Sequence, residues 1–135
     1  MINLKLSNIY KKKILDLVNE IDSEKINKFC QVIKKTSLKK KNIYIFGNGG
    51  SASTANHFAN DMTKNAKIKT FSFSNDNLIT CYSNDYGFKN WIKKTIEHYA
   101  KPGDLVIFVS ASGNSENVVK AAKFCNLKNL NVILQ

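Results

Sequence analysis

The spacing of apolar positions changes character near residue 42. Before it, Ile14, Leu15, Val18 and Ile21 fall on one helical face. Ser23 then stands at a helix-cap position, followed by Ile26, Phe29, Cys30 and Ile33 at i, i+3, i+4 and i+7. This predicts a helical hairpin over 9–37, whose stripe must be buried against a sheet or another subunit. After residue 42, short apolar runs alternate with helical patterns. Strands are predicted at Ile43–Phe46, Thr70–Phe73, Leu105–Val109 and Val132–Leu134. Between them lie a helix burying Ala55, Phe58, Ala59 and Met62, and helical patterns near 76–83 and 88–100. The second of these buries Phe88, Trp91, Ile92, Thr95 and Tyr99 and is broken by Pro102-Gly103. A last helix buries Val118, Ala121, Ala122 and Cys125. Alternation of this kind predicts an α/β fold, a doubly wound parallel sheet with helices on both faces, preceded by the hairpin. The expected division is 1–40 for the hairpin and 41–135 for the α/β domain.

Two of the connecting loops are rich in glycine and serine: Gly47-Asn48-Gly49-Gly50-Ser51 and Ser110-Ala111-Ser112-Gly113-Asn114-Ser115. Each follows an apolar strand and opens a helix. Free backbone N–H groups and the positive end of a helix dipole then meet at one point, where an anion can sit. In a doubly wound sheet, ligands bind beyond the carboxyl ends of the strands, where both loops lie. No Gly-Lys pair occurs, which excludes a P-loop. Gly47 to Ala52 satisfies the loose GxGxxG/A dinucleotide pattern, with Asp76 as a late candidate for the ribose-binding acid, but that reading leaves the second loop unused. The third reading is a pocket for a phosphorylated sugar, with serine hydroxyls as neutral donors and no nucleotide cofactor.

Composition narrows the partners. The formal charge is +11, yet every basic residue is lysine and none is arginine. Direct base readout leans on the arginine fork, so no nucleic-acid partner is expected. The run Lys34-Lys35 to Lys39-Lys40-Lys41 reads as a solvated helix end. No apolar run approaches the roughly 18 residues of a membrane span, and no membrane partner is expected. Cys30, Cys81 and Cys125 are widely spaced and form no CxxC pair, which reads as buried thiols in a reducing cytoplasm.

His57 and Asp61 stand at i and i+4 and share a helical face pointing away from the Ala55/Phe58/Ala59/Met62 stripe. An imidazole and a carboxylate so placed can hold a metal or pass a proton; the alternative is an exposed pair worth a few tenths of a kcal/mol. Asp85 is a candidate turn residue and Ser115 a candidate N-cap. His98, between Glu97 and Tyr99, reads as structural.

From about residue 41 the chain resembles the sugar isomerase (SIS) domain, most closely the phosphoheptose isomerases. The resemblance rests on GNGGS at 47–51, Ala55 with His57-Phe58-Ala59, Asn84-Asp85-Tyr86-Gly87-Phe88, and Ser112-Gly113-Asn114-Ser115-Glu116-Asn117-Val118. It implies a flavodoxin-like three-layer fold and conversion of sedoheptulose 7-phosphate to a heptose 7-phosphate, for lipopolysaccharide or capsule heptose. It further implies a cytoplasmic homotetramer built with the N-terminal helices. It places Ser51, Ser110, Ser112 and Ser115 around the sugar phosphate, with Asn48, Gly49, Gly50, Asp85 and Asn114 in the same pocket. It gives His57 and Asp61 roles in zinc binding, and Asp61 a role in proton transfer.

The chain departs from the pattern it resembles at several positions. Asp61 stands in place of a glutamate, Ala111 of a frequent threonine and Asn65 of a substrate-holding arginine. The family continues into a further strand and a C-terminal helix carrying a glutamine and a histidine of the site. The 135 residues are therefore expected to bind a phosphosugar but turn it over poorly, and a regulatory, phosphosugar-binding SIS domain is the alternative reading.

Overall fold

The computed structural model describes residues 4–134; residues 1–3 of the expected N-terminal segment and Gln135 lie outside the described residues. The chain divides into two compact units, one ending at Val32 and one beginning at Ile33.

In the first unit, α1 (Leu4–Asn19) and the start of α2 (Ser23–Leu38) are joined by a short turn. The expected cap at Ser23 falls one residue earlier. The Asp22 carboxylate accepts from the N–H groups of Glu24 (2.9 Å) and Lys25 (3.2 Å), the geometry of an N-cap side chain. The predicted stripe is largely exposed within this chain: Ile14, Leu15, Val18 and Ile21 are 42%, 62%, 55% and 53% exposed and Ile26 is exposed as well, while Phe29 is half-buried and Ile33 buried. The helices are as the periodicity predicts, and their apolar face is left largely exposed from Ile14 to Ile26.

The second unit holds the sheet. Its strands are β1 (Ile43–Gly47), β2 (Thr70–Ser72), β3 (Leu105–Val109) and β4 (Asn131–Leu134), all parallel and ordered β2-β1-β3-β4. α3 (Gly50–Lys64) connects β1 to β2; α4 (Asp76–Tyr86) and α5 (Trp91–Tyr99) connect β2 to β3; α6 (Glu116–Leu127) connects β3 to β4. Alternation along the strands splits the core in two. Tyr44, Phe46, Val106 and Phe108 pack with Trp91, Ile92 and Ile96 of α5 and Val118, Ala121 and Cys125 of α6. Ile43, Ile45, Leu105 and Ile107 point to the other face and are fully buried, and α3 lies along β1 and β2 with Ala55 and Ala59 buried. Helices thus cover both faces, as predicted for a doubly wound sheet.

Several details differ from the pattern reading. α5 begins at Trp91 rather than near residue 88, so Phe88 stays 58% exposed, and Tyr99 is 47% exposed. Tyr99 is still tied in: its carbonyl accepts from the Tyr44 hydroxyl (3.0 Å), and its ring lies against Phe73. Phe73 itself leaves the strand to stack on Tyr44 and Phe46. Phe58, Met62 and Ala122 are half-buried. Cys30 and Cys81 are exposed, contrary to the expectation of buried thiols; only Cys125 is buried, and burial pushes its thiol up to about 12.

Candidate phosphate site at the switch point

The chain winds from β1 out to β2, then returns across β1 to β3. The winding therefore reverses between β1 and β3, and open α/β sheets bind ligands at that reversal. The register fixes the consequence: Gly47, the last residue of β1, is paired with Val109, the last residue of β3. The two Gly/Ser loops leave the sheet side by side, at the same height.

Loop one is set by close packing. A Cβ on Gly47 would stand 2.5 Å from the carbonyl carbon and oxygen of Ser51 and 2.8 Å from the N–H of Ala52. Only glycine lets α3 begin so close to the strand. Gly49 holds φ +52 at the N-cap, in the left-handed region. The Asn48 carbonyl accepts from the Ser51 N–H (3.0 Å), while the N–H groups of Gly49 and Gly50 meet no backbone acceptor among the described residues. The Ser51 side chain is half-buried beside them.

Loop two is held by its own serines. The Ser110 hydroxyl accepts from the Gly113 N–H and the Ser112 hydroxyl from the Asn114 N–H, both at 3.2 Å. Ser115 occupies the N-cap of α6 with extended backbone, but its side chain makes no cap bond. The hydroxyl expected to cap the helix is therefore open. Among the described residues, the N–H groups of Ser115, Glu116 and Asn117 meet no backbone acceptor either. Two sets of unfilled donors, each at a helix start, flank the switch point. That arrangement suits a multiply charged oxyanion such as a phosphate.

The remaining predicted residues lie elsewhere. His57 and Asp61 share one face of α3, with His57 Nε2 3.2 Å from Asp61 Oδ2 and their side chains 82% and 55% exposed. The other oxygen of Asp61 accepts from Asn65 Nδ2 at 3.2 Å, an interaction the sequence reading did not anticipate. Gly50 and His57 are separated by about 11 Å along α3 at ~1.5 Å per residue. Among the described residues, no three of His, Cys, Asp and Glu are grouped to hold a metal ion. A catalytic zinc takes about three protein donors, so His57 and Asp61 alone do not make a zinc centre. Asp85 sits in the last turn of α4, not in a turn, and is exposed; its carboxylate accepts from Asn84 Nδ2 (3.0 Å) and lies 3.9 Å from the Cys81 thiol. Among the described residues, no hydrogen bond joins it to either loop. His98 is exposed, with Nδ1 2.8 Å from the Tyr82 hydroxyl.

One buried residue of the site escaped the sequence reading. Asn117 is 2% exposed and exchanges two amide hydrogen bonds with Asn48 across the switch point. The signal was present: Asn117, Ala121 and Cys125 follow at i, i+4 and i+8 on the buried face of α6, an amide in an apolar stripe.

This is a doubly wound α/β domain whose two Gly/Ser loops meet at the switch point. Residues 9–134 match the SIS domain family, and the chain belongs to it. It is 37% identical over 109 residues to a phosphoheptose isomerase of Fusobacterium nucleatum, covering 77% of this chain and 56% of that protein. It is 36% identical over 126 residues to a phosphoheptose isomerase of Cytophaga hutchinsonii, covering 87% and 66%. The solved phosphoheptose isomerase of Neisseria gonorrhoeae superposes with a TM-score of 0.89 at 26% identity, covering 99% of this chain and 74% of that one. A Francisella tularensis structure, at 20% identity and a TM-score of 0.86, supports the fold. The chain thus spans between half and two thirds of the length of these curated relatives. No helix among the described residues is long and apolar enough to cross a membrane.

Proposed function

We propose that this chain binds a sugar phosphate at the paired loops and takes part in aldose–ketose isomerisation, with sedoheptulose 7-phosphate as substrate and a heptose 7-phosphate as product. The observation that carries this reading is the Gly47–Val109 register, which sets both Gly/Ser loops around one point. The phosphate sits between the N–H groups of Gly49 and Gly50 and those opening α6, with the hydroxyls of Ser51, Ser110, Ser112 and Ser115 as further donors. Asn48 and Asn114 border the same point, and Asp85 belongs to the sugar end of the pocket.

The reacting carbons lie at the far end of such a substrate. From phosphorus to C1 an extended seven-carbon chain measures roughly 10 Å, at ~1.2 Å per bond. The reach from the loop to His57 along α3 is comparable. There the Asp61 carboxylate takes the C1 proton as the C2 carbonyl oxygen gains one, giving an enediol. Return of the proton to C2, with loss of the O1 proton, completes the aldose. His57, hydrogen-bonded to Asp61, exchanges protons with the two oxygens. A zinc ion at this pair would need at least one further donor beyond the described residues, and no step here is routed through it.

The exposed apolar faces of α1 and α2 support assembly of this chain into a homo-oligomer, a tetramer in this reading, working in the cytoplasm in heptose biosynthesis. Incubation with sedoheptulose 7-phosphate, followed by NMR, tests the activity. Appearance of an aldose 7-phosphate, lost in Asp61→Asn, is expected. Binding without turnover would instead support a regulatory phosphosugar-binding domain.

A further inference from the structure

A pair of side-chain amides bridges the switch point, and the phosphosugar reading leaves one of them, Asn117, without a task. Asn48 Nδ2 donates to Asn117 Oδ1 at 3.0 Å, and Asn117 Nδ2 donates back to Asn48 Oδ1 at 2.9 Å. Asn117 Oδ1 accepts a second bond, from the Val118 N–H, at 2.9 Å. The two amides close a ring in which each is both donor and acceptor. Asn117 is buried, where an unmade bond costs the full desolvation of the group.

Helix packing does not account for this asparagine. Alanine at the same stripe position is the better helix former and carries no polar group into the core. Satisfying the helix start accounts for only half of it: the bond from the Val118 N–H uses Oδ1, whereas Nδ2 reaches across to Asn48. What the pair does is mechanical. Among the described residues, no other side-chain hydrogen bond joins the first loop to the second loop or to α6. Asn48 is the residue from which loop one turns into α3, its carbonyl accepting from Ser51. Asn117 belongs to the opening turn of α6. The ring therefore connects one set of open N–H groups to the other.

We propose that Asn117 is a positioning residue of the phosphate site: with Asn48 it fixes the separation of the two loops, so that one phosphate meets both sets of donors at once. The inference rests on the phosphosugar reading and deepens it by assigning a residue that acts through its partner, not on the ligand. Preorganised donors bind an oxyanion without spending binding energy on closing the gap between them.

A double-mutant cycle tests this. Asn48→Ala, Asn117→Ala and the double variant are titrated by calorimetry with sedoheptulose 7-phosphate and, separately, with inorganic phosphate, with thermal unfolding recorded alongside. Each single variant is expected to weaken both ligands about tenfold. The double variant is expected to lose no more than about tenfold in total, because either truncation already opens the ring. Asn117→Asp keeps the shape and the acceptor for the Val118 N–H but sets an oxygen against Asn48 Oδ1. It is expected to weaken binding at least as much as Asn117→Ala, and it carries the test if the alanine variant does not fold. Unchanged affinity in a folded Asn117 variant overturns the proposal, as does an additive loss of about a hundredfold in the double. A wild-type chain that binds neither ligand overturns the phosphosugar reading, and the clamp with it. Wild-type binding that survives intact in the Asn117 variants overturns the clamp alone.

Discussion

The two Gly/Ser loops look alike in sequence and are built differently. Loop one is a matter of space: Gly47 is buried, and a methyl group there would lie 2.5 Å from the Ser51 backbone. Loop two is a matter of hydrogen bonds: Ala111, Ser112, Gly113 and Asn114 are exposed, a Cβ on Gly113 would meet nothing within 4 Å, and two serine hydroxyls hold the turn. The first loop is thus tied to the core and the second presents donors from the surface. A glycine in the first should matter to the fold, and a serine in the second to the ligand.

The sharpest way to break that contrast is Gly47→Ala. The clash is with backbone, which no rotamer change relieves, so the expected cost is about 3 kcal/mol of stability, the upper end for overpacking. Urea denaturation reads it; a loss under about 0.5 kcal/mol would show that the helix start shifts freely. Next comes Ser112→Ala with Ser115→Ala, expected to weaken phosphosugar affinity about tenfold, ~1.4 kcal/mol, while stability stays within about 0.5 kcal/mol, as for surface changes. Calorimetry and thermal unfolding together separate the two effects. Gly113→Ala sharpens the comparison from the other side. With φ +66 and open space, it meets only left-handed backbone strain of about 1 kcal/mol, well below Gly47→Ala. Smallest in stability is His57→Ala, a few tenths of a kcal/mol for an exposed i, i+4 pair. If the isomerase reading holds, its turnover falls far more than its sugar-phosphate affinity.

The strands and their order of appearance were legible because short, fully apolar runs such as Leu105–Val109, β-branched and flanked by Pro102-Gly103 and a Gly/Ser loop, read as strands buried on both faces, and both loops followed from glycine and serine after such runs. Helix α5 was read too long because Phe88 and Tyr99 fit its spacing; spacing alone does not tell a half-exposed aromatic from a core one. The stripe on α1 and α2 was legible as apolar and in need of cover; which part of it the chain itself covers, Ile33 but not Ile14 to Ile26, was not. Cys30 and Cys81 were misplaced for a related reason: a cysteine's burial depends on which side of a helix meets the core. The Asn48–Asn117 ring lay beyond local pattern altogether. Its partners are 69 residues apart, and only the parallel pairing of β1 with β3 brings them together. Asp104 is the same kind of case, a buried carboxylate accepting from the N–H groups of Asn42 and Lys101 at 2.9 Å each, at the opposite end of the sheet.

The central claim is that two loops make one phosphate site. The most direct measurement follows backbone amide shifts by two-dimensional NMR during titration with sedoheptulose 7-phosphate, with the unphosphorylated sugar as control. The amides of 48–51 and of 111–117 should move together, with a single dissociation constant, and stay still for the sugar without phosphate. Movement of one loop only, two distinct dissociation constants, or an equal response to the unphosphorylated sugar would contradict the account.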